Sequence, residues 1–205
     1  TLGWKQFFLI CWDNVRKEVK AAWKKFAKFY KKRWIEYTTL ILVLMYGMLY
    51  FSYGAFLDYS YGFGDMYVHH SWIYGLIEGK IFSAGVYPEA MHCVIYSMHA
   101  LLGVEVYSCM LFLAGIHVAV ILLAAYCLMK EIFHWRFSAI FVLILFLILD
   151  VVCIDEVFSM SRLQWTLPQE YGFHTIYIIA LSLILYLKSY KKTVFRDVEF
   201  KACWD

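Results

Sequence analysis

Apolar residues in this chain fall into long blocks set apart by charged ones. Residues 38–57 run TTLILVLMYGMLYFSYGAFL without a charge. Roughly 20 such residues cross a bilayer, because its hydrocarbon layer is about 30 Å thick and a helix rises about 1.5 Å per residue. Residues 106–129 pass the same test, with His117 inside them. Residues 137–158 pass over their first thirteen positions and then carry Asp150, Asp155 and Glu156. Residues 171–187 are slightly short but continuous. The pattern predicts an all-α, polytopic integral membrane protein with four transmembrane helices.

Residues 1–37 follow a different period. Trp4, Phe8, Cys11, Val15, Val19, Ala22, Phe26 and Phe29 recur every three or four positions, with lysines and arginines between them. That is an amphipathic basic helix suited to lying on an anionic cytoplasmic leaflet, with Trp23, Tyr30 and Trp34 as interfacial anchors. It is too long and basic for a cleavable signal peptide. A protein surface is a second possible partner; the adjacent span makes nucleic acid an unneeded one. Residues 91–103 are apolar and helix-like but too short to cross, which suits a juxtamembrane or re-entrant helix under protein cover.

Charge gives orientation. Of 19 lysines and arginines, ten lie in residues 1–37, two (Lys130, Arg136) in the 130–136 turn and five in the 188–205 tail. Four crossings put these seventeen on one side, leaving only Lys80 and Arg162 opposite, as the positive-inside rule requires. Both termini are then cytoplasmic, and residues 58–105 and 159–170 are outer loops. Composition agrees: 63% of residues are hydrophobic and 17% charged, against roughly 25% charged for soluble domains. Six cysteines without a CxxC pair support neither a zinc knuckle nor a disulfide framework.

Candidate chemistry gathers in the outer segment 58–105. It holds Asp58, Asp65, Glu78, Glu89, Glu105 and four of the seven histidines, His69, His70, His92 and His99. Glycines 62, 64, 75, 79 and 85 permit tight turns. A helix through residues 65–76 places Asp65 and His69 on one face by the i,i+4 rule, with His70 beside them. A carboxylate with two imidazoles suits general-base catalysis, phosphate orientation or metal ligation. Asp65 equally suits a helix cap, and the histidines equally suit an exposed interface. Pro88 and Glu89 suit a helix start; Glu89 and His92, three apart, share a face. His99, His117 and His174 are haem ligands only if they meet at one depth; for His117 a hydrogen-bonded packing role is the plainer reading. Asp155 and Glu156 suit a solvated helix end or a divalent-ion site with the first loop. Arg162 suits a grip on a lipid phosphate or pairing with nearby acids.

The run GDMYVHHSWIYGLIEGKIFSAGVYPEAMH resembles the first outer loop of GT-C-type polytopic glycosyltransferases and their bacterial relatives. The matching features are Asp65 with His69 and His70, Gly79, and Tyr87-Pro88 followed by His92. The resemblance covers roughly residues 38–135 and is to the N-terminal part of such enzymes, which usually carry many more spans. It implies glycosyl transfer from a polyprenyl-phosphate-linked sugar on the outer face of a bacterial inner membrane. Asp65 takes the position of the carboxylate that deprotonates or orients the acceptor, with Asp58 a second acidic candidate. Asp58, His69, His70, Lys80, Tyr87, Glu89, His92 and Arg162 are the expected substrate-binding residues. The resemblance fixes no cofactor and leaves metal-assisted and metal-independent transfer both open; the candidate ligands of a divalent cation are Asp65, His69 and Asp155. The alternative is a non-enzymatic four-span subunit (scaffold, lipid-binding or channel-forming) whose outer loop binds a membrane-protein partner.

Overall fold

The computed structural model describes residues 3–62, 64–82, 90–152 and 160–202, with the side chains of 4, 5, 150, 151, 160, 161 and 191–202 excepted. These residues form seven α-helices and one short 3-10 turn, with no strand among them. They divide into two compact units, Thr1–Ile41 and Leu42–Asp205.

In the first unit, α1 (Trp4–Lys32) is the basic amphipathic helix. It breaks at Arg33, and α2 (Trp34–Asp58) starts at once. The elbow is fixed by side chains: the Tyr30 and Thr38 hydroxyls share a hydrogen bond of 2.7 Å, and the Tyr37 ring stacks on Tyr30 and tilts against Phe29.

The second unit is built around α5 (Val106–Ile132). Its neighbours are the end of α2, α6 (Ser138–Val152), α7 (Pro168–Ala202) and two shorter helices of the 58–105 segment, α3 (Gly64–Ile77) and α4 (Ala90–Leu102). The end of α2 runs antiparallel to α5, with Gly47 against Val118 and Leu122, Ser52 against Gly115, and Phe56 against Phe112. Small residues at this seam let the backbones approach, which is how helices associate where lipid removes the hydrophobic drive between them. A Cβ on Gly115 would overlap the Ser52 hydroxyl and stand 2.7 Å from the Met48 carbonyl oxygen. Gly115→Leu is therefore expected to cost about 1–3 kcal/mol as overpacking, seen as a lower Tm in detergent. Gly172→Ala, where an added Cβ meets open space, should leave Tm within the small range of surface substitutions.

α7 lies along α5 in parallel, and two polar rungs fix its register. His117 Nε2 meets His174 Nδ1 at 2.9 Å, and Lys188 Nζ donates to Glu131 Oε2 at 2.6 Å. Residue 57 positions on is the partner in both cases. α6 follows α5 through a tight turn, where Lys130 donates to the Arg136 carbonyl and Ser138 to that of Trp135. Its buried face is Ala139, Ile140, Leu143 and Leu147, at helical spacing.

Among the described residues three helices are long and apolar enough to cross a membrane: Trp34–Asp58, Val106–Ile132 and Pro168–Tyr190. The segment 137–158 is helical over Ser138–Val152, about 22 Å at 1.5 Å per residue; residues 153–159 lie outside the described ones. The stretch 91–103 forms α4, one of two shorter apolar helices.

Candidate functional site

The segment 58–105 begins where α2 ends. Asp58 closes α2, and Tyr59 turns the chain with φ 44°, a left-handed conformation strained for a residue with a side chain. The Tyr107 hydroxyl holds that turn by donating to the Tyr59 carbonyl at 2.7 Å, and the Tyr59 and Ser108 hydroxyls meet at 3.3 Å. The strain is thus balanced by bonds to the first turn of α5.

Asp58 lines a cavity of about 390 Å³. Ala55, Tyr61, Gly62, Met66, Gln164 and Trp165 also form its wall, so residues on either side of Asp65 and the loop before α7 meet there. Tyr61 is buried, stacked on Tyr107 with centroids 4.5 Å apart. Burial, reinforced by neighbouring tyrosines, raises its phenol well above the ordinary value, so it remains neutral.

Asp65 is exposed in the first turn of α3, where the positive helix end favours a carboxylate by about 0.3–1 kcal/mol. One turn on, His69 is buried, and His92 on α4 is fully buried opposite it. His69 Nδ1 and His92 Nε2 stand 3.0 Å apart, one ring nitrogen donating its N–H and the other accepting. Trp72 packs edge-on against His69 and tilted against His92. Met66 and Ile73 of α3 and Met91 and Ile95 of α4 join the first turns of α5 in one apolar cluster. Desolvation lowers the pKa of His69, with Asp65 and Glu170 pulling it back up. Desolvation and then the neighbouring His69 push His92 down to about 4. Both imidazoles are neutral at pH 7 and hold α3 against α4.

α3 ends at a left-handed Gly79 (φ 79°), with the Gly79 N–H on the Leu76 carbonyl and the Lys80 N–H on that of Gly75. This paired pattern satisfies carbonyls that a helix end otherwise leaves open. His99 Nδ1 lies 2.9 Å from the Val104 carbonyl, stitching the end of α4 to the approach to α5.

The structure thus sorts the expected site residues. Asp58 and Asp65 are both exposed, and Asp58 is the one on the cavity. His69 and His92 come together as a buried structural pair. His70 does not join them: its ring packs against Tyr61 and Tyr74, and desolvation lowers its pKa. Lys80 is exposed and donates to Glu78 at 2.7 Å. Arg162 Nε donates to Glu170 Oε1 at 2.6 Å, so its acidic partner is the buried Glu170 of α7. His117 and His174 meet as a direct hydrogen bond. Tyr87, Glu89 and Asp155 lie outside the described residues. Among the described residues no group of three His, Cys, Asp or Glu is placed to hold a metal ion.

Sequence reading missed Glu170 and the tyrosines at 59, 61 and 107. Glu170, isolated at the head of an apolar helix eight residues after Arg162, carried a signal in its isolation. The tyrosines carried none, being a few among 17 in the chain. Compared with known proteins, the chain matches no family model, no curated protein and no solved structure.

Proposed function

We propose that this chain transfers a glycosyl group from a polyprenyl-phosphate-linked sugar to an acceptor on the outer face of a bacterial inner membrane. Residues 137–158 complete a set of four spans, with both termini cytoplasmic. The observation that carries the reading is the pairing of two bonded helices, α3 and α4, with exposed carboxylates. The buried His69–His92 bond locks α3 to α4 one turn from Asp65, while Asp58 stands on a 390 Å³ cavity. General-base work needs a carboxylate that is open to substrate yet held on a fixed element.

In the reaction Asp65 takes the proton of the acceptor hydroxyl. The acceptor oxygen bonds to the anomeric carbon, the bond from that carbon to the phosphate oxygen breaks, and polyprenyl phosphate leaves. A phosphate leaving group departs as an anion and needs little help from a general acid, so one essential carboxylate suffices. An apolar groove of about 370 Å³ on α4, lined by Val94, Met98, Leu101 and Leu102, suits an isoprenoid tail.

The test is a transfer assay on purified protein in proteoliposomes, with radiolabelled sugars on polyprenyl phosphate and the lipids extracted and resolved. Expected is time-dependent loss of label from the donor, with polyprenyl phosphate as the released product. Donor lipids that stay intact, beside a membrane protein purifying in fixed stoichiometry, would favour the non-enzymatic subunit instead.

A further inference from the structure

In the first unit, α1 presents an apolar face that is exposed among the described residues. Phe8, Trp12, Val15, Val19, Trp23 and Phe26 are all exposed, and their spacing of three or four places them on one side of the helix. The opposite side is strongly basic. Residues 16–33 hold nine lysines and arginines (Arg16, Lys17, Lys20, Lys24, Lys25, Lys28, Lys31, Lys32 and Arg33) against one acid, Glu18.

The elbow decides which way the apolar side faces. Phe26 and Tyr30 belong to the aromatic stripe, their rings 6.1 Å apart. Tyr30 is bonded to Thr38, and its ring stacks on Tyr37, both within the second turn of α2. Thr38 is where the uncharged run of α2 begins. The stripe is therefore turned to the same side as the start of an apolar helix, and the lysines are turned away from it. A helix with one greasy side, turned toward residues 37 and 38 at its own elbow, and with cations around the rest has the pattern of one lying in a membrane surface.

We infer that α1 is an interfacial helix whose ligand is an anionic phospholipid leaflet: the aromatic stripe enters the acyl boundary and the lysines and arginines hold the headgroup phosphates. A zwitterionic surface would satisfy the stripe alone. The excess of eight positive charges over residues 16–33 fits one that is negatively charged. This inference rests on α1 and its elbow and does not depend on the transfer reaction.

The test uses the full chain in lipid nanodiscs of phosphatidylcholine, with and without phosphatidylglycerol. Chymotrypsin is the probe, because it cuts after Trp12, Trp23 and Phe26, which the leaflet would cover. Phosphatidylglycerol is expected to slow cleavage in residues 8–30 at least tenfold. High salt should reverse most of that protection, since exposed charges are screened. A variant with Lys17, Lys20, Lys24, Lys28 and Lys31 changed to Gln keeps every cleavage site and should be cut at one rate in both lipids. Equal cleavage of the wild type in the two lipids would overturn the proposal. Protection that rises with copies per disc and ignores phosphatidylglycerol would assign the stripe to a second copy and overturn it equally.

Discussion

Asp65→Asn is expected to lower glycosyl transfer by about 10²–10⁴-fold, the usual contribution of a positioned general base. The isosteric amide keeps the shape of the side chain and removes only its capacity to take a proton. Because Asp65 is exposed and not part of the packing between α3 and α4, Tm should stay almost unchanged, and donor lipid should still bind. The loss should appear in kcat. Asp58→Asn is the companion measurement, since Asp58 lines the cavity. If Asp65 is the base, Asp58→Asn should raise KM more than it lowers kcat, as removal of a binding contact does. Full activity in Asp65→Asn would sink that assignment, and a kcat collapse in Asp58→Asn would transfer the role to Asp58.

The second large effect concerns the buried imidazole pair. His92→Leu removes the partner of His69 Nδ1 across the α3–α4 interface and leaves a polar nitrogen in an apolar cluster. Such an orphan costs about 1–3 kcal/mol. Changing both His69 and His92 to Leu should recover part of that, because no half-made bond remains. The same pair makes stability depend on pH. His69 and His92 are lowered in the folded chain, His92 to about 4, whereas an unfolded histidine titrates near 6.5. Above pH 6.5 both states are neutral and the full stability is present. Between 6.5 and 4 the unfolded chain binds protons that the folded chain refuses, so stability falls as pH falls, by up to about 1.4 kcal/mol per pH unit for each such histidine. Asp65 and Glu170 beside His69 soften that slope, and His70, also lowered, adds to it. A Tm series in detergent from pH 7.5 to 4.5 should decline across this window, and the double Leu variant should decline less. A flat wild-type curve would show that the pair is not buried in the neutral form.

What the chain disclosed in advance follows from how each feature is encoded. Spans and amphipathic helices are written locally, as runs and periods, so α1, α2, α5 and α7 were legible from Phe8 to Leu187. The outer helices were legible too: residues 65–76 and 91–103 were read as helical, and α3 and α4 cover them within one residue. Pairings between helices are not local. Nothing in the spacing of His69 and His92, 23 residues apart, says that they meet, nor that His70, one position on, turns to the tyrosines instead. The i,i+4 relation of Asp65 and His69 was correct as geometry, yet burial gave the two residues different tasks. Arg162 shows the same limit: its acidic partner was expected nearby, and only the fold selects Glu170.

The two rungs between α5 and α7 have a mechanical consequence. His117–His174 and Glu131–Lys188 lie 14 residues apart on both helices, about 21 Å along the axis. Sliding one helix by a single turn would break both rungs together, whereas tilting the two as a unit breaks neither. α5 and α7 are thus coupled as one beam, with α3, α4 and the cavity mounted at one end and the Glu131–Lys188 rung toward the other. A ligand that displaces α3 and α4 would move this beam as a whole, so a spin label or fluorophore beside Lys188 would register events about 30 Å away without touching them, since Leu111 on the cavity wall lies 20 residues before Glu131 on α5.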